Sequence, residues 1–167
     1  MLRSLDAFCT HLAATPASQV IQTTEWIIPA VQTVHIVCVA SVMSAMLMVD
    51  LRLARLRSRD ESLAAVARRY LPFVWYALPI LLATGATLII AEPARSLENP
   101  VFFLKMGLLL LACAITLAFQ IPLRRDAEYF ERSPARRRLA SVAAYLSLPL
   151  WIAVLFAGRW IAYVQSN

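Results

Sequence analysis

The chain has 167 residues, of which 60% are hydrophobic and 16% are charged, and its formal net charge is +6. Soluble domains are about 45–50% apolar and about 25% charged, so this chain has too little polar surface to cover itself in water. The apolar content excludes a disordered chain, and the odd count of three cysteines argues against a disulfide-stapled secreted scaffold. The basic residues lie between apolar stretches, which argues against a nucleic-acid partner. These observations predict a single-domain protein embedded in a lipid bilayer.

Four stretches are long and apolar enough to cross a bilayer, which requires roughly 20 residues of helix. They cover about residues 27–49, 70–91, 101–121 and 139–158. Because no strand-type alternation persists, we predict an all-α integral membrane protein with a bundle of four transmembrane helices. Residues 1–25 lack the continuous apolar core of a signal peptide. Their apolar side chains fall on one helical face, which predicts a short N-terminal helix lying in the membrane interface.

The arginines predict how the chain is oriented in the membrane. Two loops carry six arginines each: Arg52, Arg55, Arg57, Arg59, Arg68 and Arg69 in the first, and Arg124, Arg125, Arg132, Arg136, Arg137 and Arg138 in the second. The other segments outside the spans carry one each, namely Arg3, Arg95 and Arg159. By the positive-inside rule, both arginine-rich loops face the cytoplasm and both termini face the periplasm, N-out and C-out.

Several residue pairs mark the expected starts and bends of helices. Asn99–Pro100 and Ser133–Pro134 each combine a capping residue with a first-turn proline, which predicts the starts of the third and fourth spanning helices. Ser58–Glu61 has the pattern of a capping box, which predicts a short helix that leads from the first loop into the second span. Pro79 and Pro149 lie inside their spans, where each removes a helical hydrogen bond and predicts a kink.

His35 is the strongest candidate for chemistry, because polar groups inside a bilayer are costly. It lies about 12 Å along the first span, with Gln32 one turn before it and Cys38 three residues after it. A neutral imidazole can bind haem iron or copper, relay a proton in quinone chemistry, or simply hydrogen-bond to a neighbouring helix. No other histidine lies within a span, so a haem with two axial imidazoles needs its second ligand from His11 or from another chain.

Two charged residues of the spans, Lys105 and Asp50, can each be explained by a structural role. Lys105, one turn into the third span, either extends along its methylenes to the interface or turns inward and pairs with Glu92 or Glu98 near His35. Asp50 ends the first span, and we interpret it as a charge-paired helix end together with Arg52 and Arg55, which follow it.

Three side chains of the first span suggest a binding site for copper. His35, Cys38 and Met46 offer the imidazole, thiol and thioether ligands that bind Cu(I), although methionine in a span is also a common packing residue. The sequence contains no C-x-x-C, H-E-x-x-H or C-x-x-C-H run and no glycine-rich phosphate loop. We therefore expect a protein without catalytic activity of its own.

Several motifs of the first three spans resemble those of an uncharacterised bacterial family of four-helix inner-membrane proteins. These are Trp26-Ile-Ile-Pro29, Gln32-Thr-Val-His35, Asp50-Leu-Arg52, Thr84-Gly85, Glu92-Pro93 and Asn99-Pro-Val-Phe-Phe-Leu-Lys105. A histidine in the first span of an arginine-looped bundle is also similar to copper-resistance CopD-like membrane proteins and to small b-type cytochrome anchors. The resemblance implies a multi-pass fold in the bacterial inner (cytoplasmic) membrane.

Three functional hypotheses follow. The first is a non-catalytic inner-membrane subunit that binds a b-type haem or a quinone through His35, with Gln32 and Lys105 beside it, together with a partner chain. The second is a copper-handling membrane protein that uses His35, Cys38 and Met46, and the third is a structural or assembly protein without a cofactor. The small size of the bundle and the small residues on spans two and three favour a homo-oligomer or a subunit of a larger membrane complex.

Overall fold

The computed structural model describes residues 2–54, 62–161, 163 and 164, and the regular structure in these residues is all helical. Four helices are long: α3 (Ile27–Leu53), α4 (Leu63–Ala91), α6 (Pro100–Arg125) and α7 (Pro134–Trp160). Three are short: α1 (Leu2–Ala13), α2 (Pro16–Thr23) and α5 (Pro93–Leu97). The predicted all-α fold is confirmed.

Each long helix contains one predicted span and is long and apolar enough to cross a membrane, with 26 to 29 residues. All four extend beyond the predicted spans next to the arginine-rich loops. α3 continues past residue 49 to Leu53, for example, and α4 begins at Leu63 rather than at residue 70. A helix need not end where the hydrocarbon ends, because its backbone hydrogen bonds are satisfied internally in lipid and in water alike.

The predicted starts of α6 and α7 are confirmed, but only one of them is capped by a side chain. Asn99 Oδ1 accepts a hydrogen bond from Val101 N at 2.9 Å, and Pro100 occupies the first turn. Ser133 precedes Pro134 at the start of α7, yet its hydroxyl makes no capping hydrogen bond. The two sequence patterns are equivalent, whereas the two caps are not.

The helix of the second span is continuous over its described length. α4 begins at Leu63 behind Ser62, whose Oγ accepts a hydrogen bond from Ala65 N at 3.2 Å. The capping box predicted at Ser58–Glu61 lies outside the described residues.

The four long helices form two hairpins. We call the end of the bundle that contains the starts of α3 and α6 the His35 end, and the opposite end the Asp50 end. α3 packs along α4, α6 packs along α7, and the two hairpins join through α3 and α7. α4 and α6 barely touch, so the seam between them is the loosest side of the bundle.

The bundle is packed more tightly at the Asp50 end. The buried residues of the long helices fall within residues 38–53, 63–77, 112–120 and 140–151, with Ala91 and Ala157 as the exceptions at the other end. At the His35 end, His35, Thr84 and Lys105 are only half-buried. The side chains around His35 are therefore less buried than those around Asp50.

The N-terminal segment forms two helices, α1 and α2, where the sequence predicts one short interfacial helix. The chain turns before Pro16, the first residue of α2. Ser18 Oγ donates a hydrogen bond to Ile90 O at 2.7 Å, and Gln22 Nε2 donates one to Ala91 O at 2.7 Å. The last carbonyls of a helix have no partner within it, so α2 caps the end of α4 and is fastened to the bundle.

Candidate functional site

His35 faces α4 two turns after the start of α3. Its Nδ1 lies 2.8 Å from Thr84 Oγ1, and the Thr84 hydroxyl lies 2.7 Å from Ile80 O, to which it donates. A hydroxyl has one hydrogen, so Thr84 must accept from His35, and the ring proton of the neutral imidazole is on Nδ1. The Nε2 atom then carries a lone pair that can accept a hydrogen bond or bind a metal.

The Lys105 side chain lies against α7. A Cβ atom on Gly158 would lie 3.4 Å from Lys105 Cε and 3.6 Å from Lys105 Nζ. Lys105 and His35 both lie at the His35 end, and both are half-buried. The predicted pair with Glu92 is not formed, because the Glu92 carboxylate binds Arg95 at 2.6 Å.

Glu98, the other predicted partner of Lys105, lies instead beside Cys9 of α1. Burial of the Cys9 thiol and the nearby Glu98 carboxylate both raise the pKa of Cys9. Within the described part of the chain, Glu98 Oε1 is buried without a hydrogen-bond partner, and no ion pair joins Glu98 to Lys105.

Two of the three glycines of the chain flank this site. A Cβ atom on Gly85 would lie 3.8 Å from His35 Cε1, and one on Gly158 would contact Lys105 as described. The third glycine, Gly107, has open space at the same position. Side chains at Gly85 and Gly158 would occupy the space beside the two ionisable groups. The site is thus built from all four long helices.

The other predicted site residues are not gathered around His35. Gln32 is exposed, although it lies one turn from His35. Cys38 is buried in the core, and Met46 is buried against α6, where Thr116 Oγ1 lies 4.0 Å from its sulfur. Met46 is about 16 Å along the helix axis from His35, because each residue advances the helix by about 1.5 Å. One ion cannot contact both side chains.

A metal site of another composition is not formed by the described residues either. No group of three or more histidine, cysteine, aspartate or glutamate side chains there is arranged to hold an ion. The copper hypothesis therefore stays a prediction from the sequence.

A second polar cluster, at the Asp50 end, is absent from our sequence predictions. Asp50 is 3% exposed, and its carboxyl group hydrogen-bonds to Ser147 of α7. Asp50 points into the bundle, and Arg52, one of its two predicted partners, lies 3.9 Å from Glu131. Arg55, the other predicted partner, lies outside the described residues. Polar residues at positions 116, 120 and 147, all inside apolar spans, were the signal for this cluster.

Gln120 connects this cluster to the loosely packed seam between α4 and α6. Trp75 Nε1 of α4 donates a hydrogen bond to Gln120 Oε1 of α6 at 2.5 Å. Both side chains also line an open groove on this seam, together with Leu117, Ile121 and Arg124.

The fold and its two interior polar clusters define a multi-pass α-helical membrane protein with ionisable side chains inside the bundle. The chain belongs to the family of unknown function DUF6644, whose sequence pattern matches residues 20–164. The matched residues include all four long helices. No curated protein and no solved structure matches the chain. The predicted membership of an uncharacterised family is confirmed, and the family assigns no activity.

Proposed function

We propose that this protein is a non-catalytic subunit of the bacterial inner membrane that binds a b-type haem or a quinone through His35, at a site completed by a partner chain. The observation that carries the proposal is the hydrogen bond from His35 Nδ1 to Thr84 Oγ1 at 2.8 Å. Histidines that bind a metal commonly donate their other ring N–H to a second group, which fixes the tautomer and the ring orientation. Thr84 fulfils that role, and Nε2 is left for the ligand.

Lys105 adds a hydrogen-bond donor to the site. Its ammonium belongs to the same end of the bundle as His35, and no ion pair holds it among the described residues. An ammonium inside a bilayer is costly unless it meets an acceptor. A quinone carbonyl oxygen or a haem propionate would supply one, while the Nε2 lone pair of His35 would accept from a quinol hydroxyl or bind the haem iron.

A partner chain is proposed because this chain supplies one histidine within its spans. A haem with two axial imidazoles needs a second, and His11 is an exposed residue of α1. His35, Thr84 and Lys105 are half-buried, so a ligand or a neighbouring helix can reach them. A symmetric copy of the chain or another subunit would complete the site.

The test is the cofactor content of the protein purified from its own membrane in a mild detergent. We expect a Soret absorption band or stoichiometric quinone in an organic extract, retained in His11→Leu and lost in His35→Leu. Leucine suits the depth of His35 in the membrane, so His35→Leu should still insert and fold. Thr84→Val removes only the acceptor of His35 Nδ1 and should lower occupancy without abolishing it.

Three results would overturn the proposal. A wild-type protein that is colourless and free of quinone and metal would favour a structural or assembly protein. Stoichiometric copper that is lost in both His35→Leu and Cys38→Ser would favour a copper-handling protein. Haem or quinone retained in full by His35→Leu would place the cofactor elsewhere.

A further inference from the structure

A small cavity at the Asp50 end is lined by the buried Asp50 side chain. Its volume is about 20 Å³, and its polar lining consists of Asp50 of α3, Thr116 and Gln120 of α6 and Ser147 of α7. All four side chains are buried. A cavity of this size with several polar partners is large enough for one water molecule.

The hydrogen bonds around the cavity leave one carboxyl oxygen without a partner. Ser147 bonds to the Asp50 carboxyl group, but Asp50 Oδ2 is buried and meets no donor or acceptor among the described residues. Thr116 Oγ1 donates to Ala112 O at 2.9 Å, so it offers the cavity lone pairs and no hydrogen. When protonated, the carboxyl group has a hydrogen on this unpartnered oxygen to share with the cavity.

The side chains that line the cavity also favour the neutral, protonated form of Asp50. The lining residues contributed by α4, α6, α7 and the loop residue Phe130 include no ionisable side chain. Arg52, the nearest arginine on the same helix as Asp50, lies 3.9 Å from Glu131. A buried charge is strongly unfavourable unless it is paired, so the burial of Asp50 favours its neutral acid over its carboxylate.

We propose that Asp50 is a proton-binding site inside the bundle, where its protonated carboxyl group and one cavity water form a hydrogen-bonded chain to Thr116. The water accepts from the Asp50 hydroxyl and donates to Thr116 Oγ1. The proton is taken from the aqueous phase at the Asp50 end, and no redox partner is involved. This site lies on a different part of the bundle from His35 and does not depend on the function proposed there.

The test is infrared difference spectroscopy of the full chain in lipid vesicles, titrated from mildly acidic to mildly alkaline pH. We expect the C=O stretching band of a protonated carboxylic acid in the wild-type protein, with a shift in D₂O because its proton exchanges with solvent. The band should be lost in Asp50→Asn and retained in Asp126→Asn. Asp126 is the matched control because its carboxylate pairs with Arg132 at 3.1 Å outside the bundle.

Thr116→Val provides a second variant with little risk to folding. We expect the acid band to remain but to move in frequency, because the hydrogen-bonded chain loses its acceptor. A wild-type spectrum without a carboxylic acid band over the whole pH range would overturn the proposal, whether or not Asp50→Asn folds. A band abolished by sodium ions at constant pH would overturn it in favour of a cation site.

Discussion

His35 illustrates how one hydroxyl on a neighbouring helix determines the state of a membrane-embedded imidazole. The Thr84 hydroxyl already donates to the backbone of its own helix, so it can only accept from His35. The ring is held in one orientation, with Nε2 available. Without Thr84, the N–H of His35 inside this apolar span would lose its partner, at a cost of about 1–3 kcal/mol.

Lys105 is the single lysine of the chain, which makes its position measurable by chemical labelling. Its side chain lies against Gly158, where a Cβ atom would come within 3.4 Å of it. We expect Gly158→Val to displace the ammonium from α7, because overpacking forces neighbouring side chains to move. The labelling of Lys105 should then rise several-fold. The measurement is mass spectrometry of the Lys105 peptide after treatment with an amine-reactive reagent.

Gly107→Val is the matched control for this prediction. A Cβ atom at Gly107 meets nothing within 4 Å, so Lys105 labelling should equal that of the wild-type protein. Equal labelling of the Gly158→Val and wild-type proteins would contradict the position that we assign to Lys105.

At the scale of elements, the starts of α6 and α7 show that the same sequence pattern can contribute differently to the stability of the fold. Asn99 is 2% exposed and serves two helices: its Oδ1 caps α6, and its Nδ2 donates to Ile161 O at 3.1 Å and to Val164 O at 2.7 Å after the end of α7. Ser133 makes no comparable capping bond. Asn99 therefore ties the two helices of one hairpin together at the His35 end.

We expect Asn99→Ala to lower the free energy of unfolding by about 2–4 kcal/mol, since it removes a cap and leaves carbonyl groups without donors. Ser133→Ala should change it by less than about 0.5 kcal/mol. Asn99→Asp keeps the cap acceptor and loses the donors, so its loss should be intermediate. Thermal unfolding in detergent, followed by circular dichroism, measures all three. Similar losses for Asn99→Ala and Ser133→Ala would refute the dual role of Asn99.

At the scale of the whole molecule, the two ends of the bundle differ in packing and in polar chemistry. Most buried side chains lie at the Asp50 end, around a cavity of about 20 Å³, whereas His35, Thr84 and Lys105 at the other end are half-buried. Burial isolates a proton from water, whereas partial exposure lets a larger ligand reach a side chain. The two proposed sites therefore suit ligands of different size.

The arginine distribution predicts how the two ends of the bundle are oriented in the membrane. We expect a reporter that is active only in the cytoplasm to be inactive when fused after Asn167 and active when inserted within residues 55–59, because six arginines in each of two loops hold those loops inside. A reporter active only in the periplasm, fused at the same two positions, is the control. The reverse pattern would place the His35 end at the cytoplasmic face.

The sequence by itself determined the number of spanning helices and the starts of α6 and α7. These features depend on local properties: the length of an apolar stretch against the thickness of a bilayer, and the fixed φ of Pro100 and Pro134 in a first helical turn. The choice of His35 as the candidate site also rested on a local property, an imidazole within an apolar span.

Only the tertiary structure decided which polar groups meet. Thr84 is 49 residues from His35 along the chain, Gly158 belongs to a different helix from Lys105, and Asp50 turns into the bundle toward Ser147. These contacts depend on how each helix is rotated about its axis and on which helix packs beside it. A span that is apolar around most of its circumference carries little information about its own rotation, so the packing of all four helices together sets it.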